Sequence, residues 1–190
     1  MMGADQFADA SRAAAKLAAE QTIARRKLPA TILRPNACFQ NDLTAKAAIL
    51  DHHLYPTPLG RIGVTSVDAR DVAAIAAVEL LRRDQASHPL PAETIEVVGP
   101  DTFTGNAMSK LWSEVIGTRV SYVGDDLDEV ERRMRLALPT ATAYDLKLVF
   151  RGMVRNGVLG APDAADQLAR RLGRPLRTYC AFAEAMTANG

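Results

Sequence analysis

The chain has 190 residues, 48% of them hydrophobic and 24% charged, a length that can bury a substantial core and a composition that excludes disorder and fibrous repeats; one domain is expected. A net charge of +1 and only 5% aromatic residues leave no basic field and no stacking platform, which argues against nucleic acid as a partner. Cys38 and Cys180 lack zinc-type spacing, no apolar run reaches the ~18 residues of a membrane span, and the first residues are not organised as a signal peptide, so reduced thiols, no metal, no membrane and a cytoplasmic location are expected.

Residues 6–27 contain neither Gly nor Pro and are rich in strong helix formers, which predicts a long helix. Phe7, Ala10, Ala14 and Leu17 mark its apolar stripe, Arg12, Lys16 and Glu20 form a second line, and Arg25, Arg26 and Lys27 offset the dipole at its end. The short apolar run 30–33, behind Pro29, predicts a buried strand whose pairing stops at Pro35. Asn41 or Asp42 is placed to cap a helix running to about Asp51, and residues 54–66 read as loop with short extended pieces.

Asp71 precedes an amphipathic helix whose buried stripe is expected at Val72, Ile75, Ala76 and Leu80. A second strand, TIEVVG, is closed by Gly99 and Pro100. Thr104 caps a helix over 105–116, Gly117 stops it, and RVSYV forms a shorter strand. From Asp125 onward only helices are predicted, with breaks at 138–139, 157–162 and 173–175. The alternation places the chain in the α/β class: one domain over 1–190, with a part at 6–123 built on a parallel sheet and a helical tail at 124–190 packed on it.

Three stretches, KLAAEQTIARRKLPATILRPNACFQN, GVTSVDARDVAAIAAVELL and IEVVGPDTFTGNAMSKLWSEVIGTRVSYV, in this order and spacing resemble the C-terminal half of NmrA-like proteins, which are atypical short-chain dehydrogenases/reductases. The resemblance implies a partial Rossmann-like sheet, a mainly helical C-terminal subdomain on the substrate side, and NAD(P) as cofactor. It puts Lys16 at the place of the active-site lysine and Pro35, Asn36 and Phe39 near cofactor or substrate. Arg12 stands four residues before Lys16, where a conventional member has its tyrosine, and a guanidinium with a pKa above ~12 cannot donate that proton.

A dinucleotide site needs a strand, a glycine-rich turn and a helix N-terminus, and no such run occurs in these residues. The pairs Gly60/Gly63 and Gly157/Gly160 follow no convincing strand, so they do not qualify as a phosphate cradle. The expectation is a protein of an NAD(P)-binding family that does not seat the dinucleotide alone and is non-catalytic alone, acting as a small-ligand, regulatory or interaction module. The alternatives are an oxidoreductase completed by a complementary nucleotide-binding chain or an upstream segment, and a self-associating protein, expected as a homodimer through the edge at 30–34.

Other readings of single residues are structural. Lys16 is equally one charge on a solvated helix face, Asp71 a helix cap and Asp68 a turn acceptor. His52 and His53 are adjacent and so point apart, Ser11 and Ser66 lack a nucleophile's surroundings, and neither cysteine has an evident base. Met134, Leu138, Leu146, Leu148, Val149, Phe150 and Met153 are expected either as core or as the wall of a substrate pocket.

Overall fold

A computed structural model describes residues 11–188, apart from the side chains of Ser11 and Arg12. Phe7, Ala10 and the Arg12 side chain therefore lie outside the described residues. In chain order the elements are α1 (Ser11–Arg25), β1 (Thr31–Pro35), a 3-10 segment (Phe39–Ala45), α2 (Lys46–Leu50), β2 (Leu54–Tyr55), α3 (Ala69–Asp84) and β3 (Glu93–Val97). There follow α4 (Gly105–Ile116), β4 (Ser121–Tyr122), α5 (Leu127–Met134), α6 (Thr140–Asn156), α7 (Ala164–Leu172) and α8 (Tyr179–Ala188).

β1 and β3 pair in parallel, from Thr31 opposite Glu93 to Pro35 opposite Val97, and β2 pairs in parallel with β4. Parallel neighbours require a long crossover, and residues 36–92, with α3 as their longest helix, provide it. The fold is α/β, as expected. Glu93 N donates to Ala30 O and Asn36 N to Val97 O, so the even-numbered backbone groups here face β3. The N–H and C=O groups of Thr31 and Leu33, and the Pro35 carbonyl, point to the opposite edge, which has no strand partner among the described residues.

The core gathers Trp112, Tyr55, Tyr179, Phe39, Ile49 and Ile75, all fully enclosed. In α1 the buried position is Ala13, while Ala14 is exposed and Leu17 half-buried, so the stripe sits one residue away from the expected line. β1 runs on to Pro35, where its pairing with β3 ends as expected. Thr104 and Gly117 delimit α4 as expected: the Thr104 side chain accepts from Ala107 N, and Gly117 adopts φ 74°.

Several local readings are corrected. Asp42 caps no helix, because the chain at 39–50 is a 3-10 segment followed by a short α-helix and the Asp42 side chain turns into the core. α3 is capped by Asp68, which accepts from Arg70 N; Asp71 lies within the first turn, buried. Leu80 is 71% exposed, whereas Glu79 is 3% exposed. The inward line of α3 runs through Asp71, Ile75 and Glu79, and Glu79 tolerates burial because Thr31, Arg82 and Arg171 all donate to its carboxylate. The tail is not purely helical, since Val158 bridges to Val64 between α6 and α7.

Candidate functional site

Ligands of open α/β sheets bind outside the carboxyl ends of the strands. Here β1 and β3 end at Pro35 and Val97, and four stretches of irregular chain are sewn together just beyond them. Val67 N donates to Ala37 O and Phe39 N to Val67 O, both at 2.9 Å. Val64 and Phe103 exchange backbone bonds, and Val158 is held between Gly63 and Thr65 by two bonds of 3.0 Å. Gly99 is required at this junction, because a Cβ there would stand 2.1 Å from the Ser66 carbonyl oxygen.

Of the residues singled out by sequence, three meet at this place. Pro35 is half-buried at the strand end. Asn36 is 6% exposed and uses both ends of its amide: Nδ2 donates to Val158 O at 2.8 Å, and Oδ1 accepts from Ala37 N at 2.7 Å. Phe39 is 2% exposed, edge-on to Tyr179 with ring centroids 5.1 Å apart. Lys16 is exposed on α1, without an ion pair among the described residues, while Glu20 on the same helix binds Arg34 of β1 at 2.6 Å.

The remaining candidates lie away from these three or are engaged in contacts of the fold. Asp68 takes Arg70 and Gln40; burial opposes its charge, but the Arg70 bonds hold its carboxyl below the usual range. Asp71 ties α3 to the stretch before α8 through Arg174 and Arg177. His52 is exposed, and His53 sits at φ 54° with its carbonyl accepting from Ser121 N. Leu148, Val149 and Met153 pack on the core, and Leu138 is 37% exposed. Burial and the nearby Asp68 push the Cys38 thiol up.

Sequence reasoning missed a buried polar chain beside Phe39. Trp112 Nε1 donates to the Tyr179 hydroxyl at 3.1 Å, and that hydroxyl donates to Asp42 Oδ2 at 2.6 Å. Tyr55 and Thr57 donate to the same carboxylate at 3.0 and 3.2 Å. Burial pushes the Asp42 carboxyl up, against the three hydroxyl bonds that favour its charge, and burial together with the Asp42 charge pushes the Tyr179 phenol up. The partners are separated by 13, 67 and 137 residues, so no local pattern announces the cluster.

An open groove of about 410 Å³ runs between α4 and α8, with Phe103, Leu111 and Val115 beside Lys110, Glu114 and Cys180. Partial desolvation and the Glu184 carboxylate push the Cys180 thiol up. One first-turn amide of α3, Arg70 N, is taken by the Asp68 side chain, and one of α4, Ala107 N, by the Thr104 side chain. Glycines of both sequence pairs are packed tight instead of open: a Cβ at Gly60 would meet Val154 at 2.7 Å, one at Gly157 would meet Ile62 at 2.5 Å, and one at Gly160 would meet Val98 at 2.8 Å. No helix among the described residues is long and apolar enough to cross a membrane.

No family model matches the chain. It is 28% identical over 163 residues to an NAD(P)H azoreductase of Xenophilus azovorans, which covers 83% of this chain and 53% of that protein. Among solved structures it resembles an NADPH-dependent quinone oxidoreductase of Escherichia coli with a TM-score of 0.80 and 20% identity, over 100% of this chain and 65% of that one. It also resembles a triphenylmethane reductase of Citrobacter sp. with a TM-score of 0.73 and 19% identity, over 93% of this chain and 59% of that one. The chain thus spans about half the length of the curated relative and less than two thirds of these solved chains. The structural likeness establishes a Rossmann-like α/β fold.

Proposed function

We propose that these residues form the acceptor-side part of an NAD(P)H-dependent oxidoreductase, with the electron acceptor seated at the carboxyl ends of β1 and β3. The observation that carries this reading is the alignment with an NAD(P)H azoreductase over 83% of the chain. Pro35 and the chain through Phe39 border the acceptor, and Lys16 belongs to the cofactor side. The dinucleotide diphosphate is held by residues outside those described, which accords with the tight packing at Gly60, Gly157 and Gly160. The free edge of β1, with the amides of Thr31 and Leu33 and three carbonyls, suits one more parallel strand; Pro35 is the single position on it that offers no donor.

The test pairs two measurements. NADPH oxidation with a quinone or an azo compound as acceptor is followed on protein purified from its native cells, and the 190-residue chain alone is titrated with NADPH by calorimetry. Acceptor reduction in the first and no saturable heat in the second are expected. Native protein inert toward both acceptors removes the oxidoreductase reading, and micromolar NADPH binding by the chain alone removes the division of labour.

The same edge supports a second reading, pairing of two copies. Antiparallel about Leu33, two β1 strands make a reciprocal Leu33 pair plus a Thr31 N–H to Pro35 carbonyl bond at each end. Light scattering on the isolated chain should then find a dimer that Leu33→Pro abolishes.

A further inference from the structure

We propose that the groove between α4 and α8 binds a flat aromatic cation. The proposal concerns binding alone and goes beyond the oxidoreductase reading, on which it does not rest. Ala107, Lys110, Leu111, Glu114 and Val115 follow one another at the three- and four-residue steps that put side chains on one face of a helix, and all five line the groove. Met108 and Trp112 anchor α4 through its buried face, whereas Leu111 and Val115 are only half-buried and keep part of their surface on the groove. α8 contributes Cys180 and Glu184, four residues apart, and Phe103, just before α4, supplies an aromatic wall. Ala107 and Cys180 are small, which leaves a trough open between the two helices. Its volume of about 410 Å³ falls within the range of about 300–1,000 Å³ usual for small-ligand sites.

The charge around this apolar trough selects the occupant. Glu114 and Glu184 line it, and Asp101 acts with them on the Cys180 thiol, which partial desolvation and then these carboxylates push up. Lys110 is the one cation in the lining among the described residues. It stands 4.0 Å from Glu114 with both side chains largely exposed, a pair that water screens. Glu184 accepts from Cys180 Sγ at 3.5 Å and meets no cation among the described residues. Three carboxylates against one ammonium leave an excess of two negative charges beside apolar walls. An anion is repelled there, a neutral ring gains only from the walls, and a small hydrated cation leaves the walls uncovered. An aromatic cation gains from the carboxylates and the walls together, and an aromatic ring such as Phe103 attracts its charge as well.

The experiment titrates the 190-residue chain, without NADPH, with ethidium, a planar aromatic cation whose fluorescence rises on leaving water. Saturable binding is expected, weakened about three-fold by Glu114→Gln and by Glu184→Gln and unchanged by Asp84→Asn, the same change of charge at the C-terminal end of α3. Ala107→Arg, at an exposed position, should abolish binding by filling the trough with a cation. Phenanthridine, the neutral parent ring, should bind about ten-fold more weakly than ethidium, and added salt should narrow that gap. Alkylation by iodoacetamide reads the place: bound ethidium should protect Cys180 and leave the rate at Cys38, beyond the end of β1, unchanged. No saturable binding, phenanthridine binding as tightly as ethidium, glutamate variants that bind like the wild type, or protection of Cys38 instead of Cys180 would each overturn the proposal. A dimer in light scattering that Ala107→Arg breaks would assign the groove to a second copy and overturn it too.

Discussion

Replacing Tyr179 by Phe removes one oxygen from the centre of the core and leaves the ring in place, against Phe39 at 5.1 Å and Trp112 at 6.1 Å. Two losses follow. The 2.6 Å bond to the Asp42 carboxyl disappears, and such a bond contributes about 0.5–1.5 kcal/mol, rising to about 3 where the partner is charged. The Trp112 indole N–H loses its acceptor in a residue that is 0% exposed, and an unsatisfied buried donor costs about 1–3 kcal/mol. Partial relaxation keeps the sum near 3 kcal/mol, or a fall in Tm of roughly 6–12 °C for a chain of this size. Tyr55→Phe is the comparison: it removes a 3.0 Å bond to the same carboxylate and orphans nothing, so about half that loss is expected. Urea unfolding at neutral pH measures both, with an unchanged slope confirming that the folded and unfolded states are otherwise alike. A Tyr179→Phe protein within about 0.5 kcal/mol of the wild type, or one no weaker than Tyr55→Phe, would show that the bonds from Trp112 through Tyr179 to Asp42 do not contribute to stability to this extent.

Acid titration should separate two kinds of buried carboxylate. Burial raises the folded pKa of Asp42, so its contribution is full below the ordinary carboxylate range and falls as pH rises through the raised value. Burial opposes ionisation of Glu79 too, but its arginine partners win and lower its pKa, so its contribution is full above that range and falls as pH drops through the lowered value. Stability measured from pH 7 to pH 3 should therefore lose part of its acid-side slope in Glu79→Gln and keep it in Tyr55→Phe. Gly99→Ala should cost about 3 kcal/mol in chemical unfolding, since its Cβ meets backbone at 2.1 Å. Gly117→Ala meets nothing within 4 Å and should cost only about 1 kcal/mol, from its left-handed backbone. A Gly99→Ala chain as stable as Gly117→Ala would contradict the close approach of 99 to 66.

The difference between what could and could not be read from sequence follows the range of the forces involved. Thr104 and Gly117 bound α4 through bonds to residues at most four positions away, so the local sequence identifies them. The α/β class followed from the alternation of short apolar runs with longer periodic ones, a signal that averages over many residues. Asp42 and Asp71 were misread as caps because that role is the commonest local use of an aspartate, while their actual partners lie 137 and 106 residues away. Glu79 shows why periodicity alone fails on α3: hydrophobicity counts it outside and Leu80 inside, yet three donors brought in by tertiary structure make the carboxylate the buried one. The same rule applies at the strand ends. The family resemblance marks Asn36 as a site residue, but its partner Val158 lies 122 residues on, so only the folded chain shows that its amide holds a turn. A candidate site residue at a strand end should therefore be judged by which of its polar atoms the fold has already engaged, and at Asn36 both the amide nitrogen and the amide oxygen hold backbone groups.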